Sequence, residues 1–78
     1  MTDKILNCIC DVFDLDRTEI SAETSQSDVD GWDSVGAVRL VLSLEEEFGV
    51  SIPPESGRQM TGCREIEAEL VKLGANGQ

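Results

Sequence analysis

Hydrophobic residues recur at helical spacing in three stretches of this chain, and polar or proline-containing segments separate them. The first stretch, residues 2–14, places apolar side chains at i, i+4, i+7 and i+8, which is typical of one face of an amphipathic helix capped by Thr2. These side chains are Ile5, Ile9, Val12 and Phe13. The last stretch begins near Thr61 as a second N-cap and closes at Gly74. Its apolar positions are Cys63, Ile66, Leu70 and Leu73.

The middle stretch predicts a helix from Ser34 to Phe48 that ends at Gly49, a residue type favoured just beyond a helix C-terminus. Its apolar arc is wide, so we expect the helix to be central and packed on more than one side. The narrower polar arc begins beside Ser34 and predicts a docking surface for a partner. It consists of Gly36, Arg39, Ser43, Glu46 and Glu47.

The segments between these helices read as connections. Residues 14–33 are polar, with apolar anchors at Leu15, Ile20 and Val29, and a connection this long is unusual unless it serves a function. Residues 50–54 read as extended chain, and Pro54-Glu55 can open a short helix anchored by Met60. We therefore expect an all-α fold, a small antiparallel bundle of three main helices plus one short helix. It forms a single domain over residues 1–78, folded to residue 74 and frayed over 75–78.

Composition narrows the functional classes. The chain has 78 residues, 16 of them acidic and 6 basic, and a formal net charge of −10. This charge argues against nucleic acid and against anionic membranes, and it favours either basic protein partners or simple solubility. Three cysteines (Cys8, Cys10 and Cys63) and no histidine predict neither a disulfide framework nor a zinc site. Small buried thiols and the lack of a signal peptide or membrane span predict a cytosolic protein.

Ser34 lies where the polar connection meets the central helix. Backbone N–H groups at a helix N-terminus favour an anion, although Ser34 or Asp33 can also be a plain N-cap. A serine hydrolase would need a base, and the chain has no histidine. The run Asp28 to Gly31 resembles a calcium loop but lacks the required ligands at both ends. An exposed serine without catalytic partners suits a residue that another enzyme modifies.

The motif Gly31-Trp32-Asp33-Ser34-Val35, followed by Leu44-Glu45-Glu46-Glu47-Phe48-Gly49 and Ile52-Pro53, resembles the acyl carrier protein family over nearly the whole chain. The resemblance implies that Ser34, flanked by Asp33, carries 4′-phosphopantetheine transferred from coenzyme A by a phosphopantetheinyl transferase. The arm's thiol would hold acyl groups as thioesters for partner enzymes with basic docking patches. Four side chains are candidates to line an acyl cavity, or equally to form an ordinary core: Val38, Leu42, Met60 and Ile66.

Several positions depart from the family pattern. Carriers of primary fatty acid synthesis usually have acidic residues where this chain has Gly36 and Arg39, and leucine where it has Val35. We also expect Trp32 to be exposed on the loop as a partner contact. These departures predict a carrier for specialised lipid or polyketide synthesis, with an aminoacyl or D-alanyl carrier as the alternative. Because the chain starts at Met1 and shows no flanking domain, we expect it to be freestanding, and we also expect it to be monomeric and non-catalytic. A rival of another class is an unmodified acidic interaction module.

Overall fold

The computed structural model describes residues 1–75, and they form the predicted small helical bundle. Within that range there is no β-strand, and a single antiparallel bridge joins Ser25 to Gly62. Two short 3₁₀ helices lie in the long connection, at Arg17–Glu19 and Gln26–Asp28. The α-helices are α1 (Thr2–Phe13), α2 (Ser34–Phe48), α3 (Pro54–Gln59) and α4 (Cys63–Lys72).

The central helix begins and ends where the sequence predicts, and the short helix begins where the sequence predicts. Gly49 ends α2 in the left-handed conformation at φ 64°, which costs glycine no steric strain. Pro54 is the first residue of α3, where its missing N–H leaves no hydrogen bond unmade. Met60, which follows α3, is buried as expected.

Two of the predicted caps are wrong. Thr2 is the first helical residue of α1 instead of its cap, and Met1 occupies the cap position without a side-chain hydrogen bond. Gly62, not Thr61, precedes α4. The Thr61 carbonyl instead accepts a hydrogen bond from the Gln26 N–H at 2.9 Å, which requires extended backbone at this point.

The long connection is fastened to the start of α4. Besides the Gln26–Thr61 bond, the Cys63 N–H donates to the Thr24 carbonyl at 2.9 Å. Thr24 is buried, and its hydroxyl accepts from the Ser21 N–H. An ion pair between Arg64 and Glu23 lies over the same junction. These hydrogen bonds and this ion pair hold the long connection against the bundle, although it contains only two short 3₁₀ helices.

The core lies between α1, α2 and α4. Seven side chains in it are almost fully inaccessible to solvent: Ile5, Ile9, Leu40, Leu44, Cys63, Ile66 and Leu70. The three predicted loop anchors belong to the same core, with Val29 buried and Leu15 and Ile20 packed against it. Ala75, expected to begin a frayed tail, also packs there and donates its N–H to the Leu70 carbonyl. The remaining tail residues, 76–78, lie outside the described residues.

Leu44 and Leu42 test this assignment of the core, because they share one helix and one residue type. Leu44 is 0% exposed and Leu42 is 57% exposed. We expect Leu44→Ala to lower the free energy of unfolding by about 2–5 kcal/mol, because it leaves a cavity. Leu42→Ala should change it by no more than about 0.5 kcal/mol. Urea denaturation measures both, and equal losses would contradict this orientation of α2.

Among residues 1–75 no helix is both long and apolar enough to span a bilayer.

Candidate functional site

Ser34 is the first residue of α2 and is exposed. Asp33 is the N-cap, and its carboxylate accepts the Gly36 N–H at 3.0 Å. This geometry decides between the two cap residues that the sequence left open. Within residues 1–75, neither the Ser34 hydroxyl nor the backbone N–H groups of Ser34 and Val35 find a hydrogen-bond partner. The hydroxyl is therefore free to be modified, beside donors that favour a negative charge.

An open groove of about 750 Å³ extends from Ser34 between α2 and α3. One wall is a face of α2, the other is α3 with the chain leading into it, and four residues from outside these segments complete the lining. The lining residues are Gln26, Asp33, Ser34, Ala37, Val38, Val41, Leu42, Glu45, Ile52, Pro53, Pro54, Gly57, Arg58, Met60 and Thr61. A group attached to Ser34 would thus have an apolar-walled groove directly beside it.

Three of the four predicted cavity residues belong to this groove. Val38 and Leu42 lie on its α2 wall and Met60 on the opposite side. Ile66 does not line it and belongs to the ordinary core, which is the alternative that the sequence left open for these four residues. It is 0% exposed and packs inside the bundle, because its turn of α4 faces the core.

Sequence reasoning missed most of the lining, although part of it was within reach. Ala37, Val41 and Glu45 share the helical face that Ser34 begins, at i+3, i+7 and i+11, so that face could have been read from spacing. Gln26 and Thr61 carry no such signal, since only the loop contact between them brings them to the groove.

Trp32 is not the exposed loop residue that the sequence predicted. It is 5% exposed and its indole stacks on Phe13 of α1, with ring centroids 5.4 Å apart and planes at 23°. Stacked aromatic pairs of this kind stabilise a core beyond their buried area. A side chain buried in this way offers almost no surface to a partner, so the structure does not support a docking role for Trp32.

Gly36 is likewise buried, and its place among the docking residues has no structural support. A Cβ built on it would lie 2.7 Å from a ring carbon of Phe13 and even closer to the Gly31 carbonyl oxygen. The missing side chain therefore lets α2 and its preceding loop approach α1 closely. This packing role accounts for a glycine near a helix start, where propensity alone disfavours it.

The solvent-facing side of α2 is more apolar than the sequence predicted. Val35, Val38 and Leu42 are 70%, 60% and 57% exposed, and they form a continuous stripe that we call the apolar ridge. Much of the predicted polar arc instead turns towards α1. Gly36 is buried, Ser43 is half-buried, and Arg39 donates to the Val12 carbonyl at 3.2 Å.

The remaining predicted docking residues are accessible. Val35 is part of the apolar ridge, and Glu46 and Glu47 are exposed near the C-terminal end of α2. Arg39 is exposed too, although its bond to Val12 holds the guanidinium at the C-terminal end of α1, where a cation is favoured.

The two acidic groups of the groove accept hydrogen bonds from backbone N–H groups. The Asp33 carboxylate caps α2, and Glu45 accepts the Ile52 N–H at 2.8 Å, which ties the chain leading into α3 to α2. Arg58 is the groove's one cation among the described residues. No group of side chains suited to a metal ion was found between residues 1 and 75.

The cysteines do not form a competing nucleophile. Burial raises the pKa of the Cys8, Cys10 and Cys63 thiols above the ordinary value for cysteine, so all three stay protonated near neutral pH. None of the three lines the groove. Of the chain's potential attachment groups, the Ser34 hydroxyl is the one that joins exposure, a helix N-terminus and an adjacent groove.

The chain matches one family model and is similar to several known proteins. The family model described as "Phosphopantetheine attachment site" matches residues 3–56. An acyl carrier protein of Picosynechococcus is 40% identical over 76 residues, covering 95% of this chain and 93% of that protein. Acyl carrier proteins of Clostridium acetobutylicum and Bdellovibrio bacteriovorus are 34% and 32% identical. They cover 82% and 91% of this chain, and 83% and 91% of their own lengths.

Proposed function

The chain belongs to the acyl carrier protein family and has a phosphopantetheine attachment domain, and from that premise we propose that Ser34 is the residue that bears the 4′-phosphopantetheine. The observation that carries this proposal is the exposed Ser34 hydroxyl, unpartnered within residues 1–75, at the N-terminus of a 15-residue helix. The free N–H groups of Ser34 and Val35 fit a phosphodiester at this position.

Attachment is a substitution at phosphorus. The Ser34 oxygen forms a bond to the coenzyme A phosphorus that bears pantetheine, and the bond to adenosine 3′,5′-bisphosphate breaks. The hydroxyl proton passes to a base on the transferase. This division of labour suits a site with no histidine, in which the nearest carboxylate, Asp33, is engaged as a helix cap. When bound, the arm supplies a thiol that holds acyl groups as thioesters.

The groove beside Ser34 supports an acyl cargo that is partly sheltered by the carrier itself. Val38, Val41, Leu42 and Met60 give the groove an apolar lining, which favours burial of hydrocarbon. Because the groove is open, cargo can leave it when a partner enzyme binds. The chain acts in this proposal as a carrier that performs no catalysis itself and works in the cytoplasm.

A carrier domain implies partner enzymes, and we propose that they dock on the α2 side. The apolar ridge supplies contact area beside Ser34, and Glu46 and Glu47 supply charges for a basic patch. The pathway proposed from the sequence is specialised lipid or polyketide synthesis. The departures that still support it are Val35 and Arg39, since the packing of Gly36 explains that departure without reference to a partner.

Arg39 can be tested as a determinant of partner choice. Arg39→Glu should raise the rate of loading by housekeeping fatty acid enzymes several-fold, because it places a negative charge where carriers of primary fatty acid synthesis usually have one. Arg39→Gln is the matched control, since it also loses the bond to Val12 but adds no negative charge. Steady-state loading rates measure the effect. If both variants load at the wild-type rate, Arg39 does not select partners.

Incubation with coenzyme A and a broad-specificity phosphopantetheinyl transferase tests the attachment. Intact mass should rise by one phosphopantetheine, and peptide mapping should place it on the segment that contains Ser34. No mass change with several transferases would overturn the proposal and favour an unmodified interaction module. If loading enzymes transfer amino acids to the modified chain in preference to acyl groups, the result would instead favour the aminoacyl or D-alanyl carrier.

A further inference from the structure

Arg58 differs from the other cations of this acidic chain. Three of the six basic residues form ion pairs with carboxylates within residues 1–75, namely Arg17, Arg64 and Lys72. Arg39 is bonded to the Val12 carbonyl. Lys4 and Arg58 make neither an ion pair nor a side-chain hydrogen bond with any residue that the structure describes, and of these two only Arg58 lines the groove that begins at Ser34.

The carboxylates of the groove do not provide a partner for Arg58. Asp33 and Glu45, which are the acidic residues of its lining, accept backbone N–H groups from Gly36 and Ile52. An unpaired guanidinium therefore stands at the edge of an apolar-walled groove. Guanidinium is the side-chain group best shaped to receive a carboxylate through two parallel hydrogen bonds.

We propose that the groove selects an acyl chain whose far end bears a carboxylate, and that Arg58 binds this carboxylate while the hydrocarbon lies against α2 and α3. The proposal rests on attachment of the arm to Ser34 and names the class of cargo that the site favours. A neutral chain of the same length can use the apolar walls but leaves Arg58 without a partner.

The position of Arg58 also has a simpler explanation, which the experiment must distinguish from binding of the cargo carboxylate. Arg58 lies in the last turn of α3, where a cation interacts favourably with the helix dipole. That role stabilises the chain equally whether the cargo is charged, neutral or missing. Binding to the phosphate of the arm would likewise be independent of the cargo. Dependence on the charge of the cargo therefore distinguishes the proposal from both.

The experiment compares cargo pairs of equal carbon number on the same protein. The transferase loads Ser34 directly from hexanoyl- or adipoyl-coenzyme A, and from octanoyl- or suberoyl-coenzyme A, by the substitution described above. Cleavage of the thioester by hydroxylamine is followed by intact mass, and a cargo held in the groove is cleaved more slowly. Amide and guanidinium NMR shifts of Gly57 and Arg58 give a second readout that does not depend on reactivity.

We expect the carboxylated cargos on the wild-type chain to be cleaved roughly two- to fivefold more slowly than their neutral counterparts, as suits one partly exposed ion pair. Arg58→Gln should remove this difference by accelerating cleavage of the carboxylated cargos alone, and Arg58→Lys should retain part of it. Lys4→Gln is the matched control, because it removes the same charge from outside the groove and should leave the difference intact.

Three outcomes would overturn the proposal. Equal cleavage of neutral and carboxylated cargos would show that the groove ignores the charge. An equal effect of Arg58→Gln on both classes would assign Arg58 to the arm phosphate or to the end of α3. Failure of every coenzyme A derivative to add mass at Ser34 would overturn the proposed function as well, and the mass spectrum separates that failure from the other two.

Discussion

Ser34→Ala is expected to abolish the mass gain of one phosphopantetheine completely. No other hydroxyl combines exposure, a helix N-terminus and the head of the groove. The variant should fold normally, since the cap of α2 comes from Asp33 and the Ser34 hydroxyl makes no hydrogen bond within residues 1–75. Intact mass after incubation with coenzyme A and transferase gives the measurement, and circular dichroism confirms the helices.

Ser51→Ala provides the matched control. Ser51 is also exposed, but it lies outside any helix, in the chain between α2 and α3. This variant should be modified to the same extent as the wild type. Mass gain that persists in Ser34→Ala would assign the arm to another residue and would refute the site proposed above.

Gly36→Ala is expected to destabilise the fold, although helix propensity alone predicts the opposite. Alanine favours a helix over glycine by about 1 kcal/mol. The added methyl group, however, would collide with the Phe13 ring and with the backbone of Gly31. Overpacking of this kind costs about 1–3 kcal/mol, and in a domain of this size each kcal/mol lowers Tm by about 4–8 °C. Thermal unfolding followed by circular dichroism measures the sign.

Gly57→Ala is the control with the same substitution in another helix. A Cβ there would lie 3.4 Å from a methyl group of Val41, which is close to ordinary contact. Its effect on Tm should be neutral or slightly positive. If Gly36→Ala also raises Tm, the close approach of α2 to α1 is not what constrains position 36.

The helices of this fold were predictable where their signals are local. The bounds of α2 and the start of α3 follow from Gly49 and Pro54, whose backbone preferences act on their immediate neighbours. The position of Ser34 at the start of α2 was predictable for the same reason, because Ser34 is a polar residue at the start of a periodic apolar stretch. The prediction that Thr2 and Thr61 are caps was wrong because Met1 and Gly62 occupy the cap positions, and neither makes a side-chain hydrogen bond there.

The surroundings of Ser34 could not be read from the sequence, because they depend on contacts between distant segments. Trp32 lies among polar neighbours, and only its stacking on Phe13 makes it a core residue. Gly36 and Arg39 look like surface residues by helical spacing, yet one is pressed against α1 and the other reaches its carbonyl end. The wide apolar arc of α2 led to an expectation of burial, whereas Val35, Val38 and Leu42 are exposed.

Trp32 gives the chain an optical property. It is the one tryptophan in a sequence without tyrosine, so ultraviolet fluorescence of the protein arises from a single indole. That indole is buried against Phe13, two positions before Ser34. Emission wavelength and quenching by iodide therefore report on the loop that leads into Ser34, and no added label is needed. Transferase binding or cargo exchange can be followed there in real time if it disturbs this stacked pair.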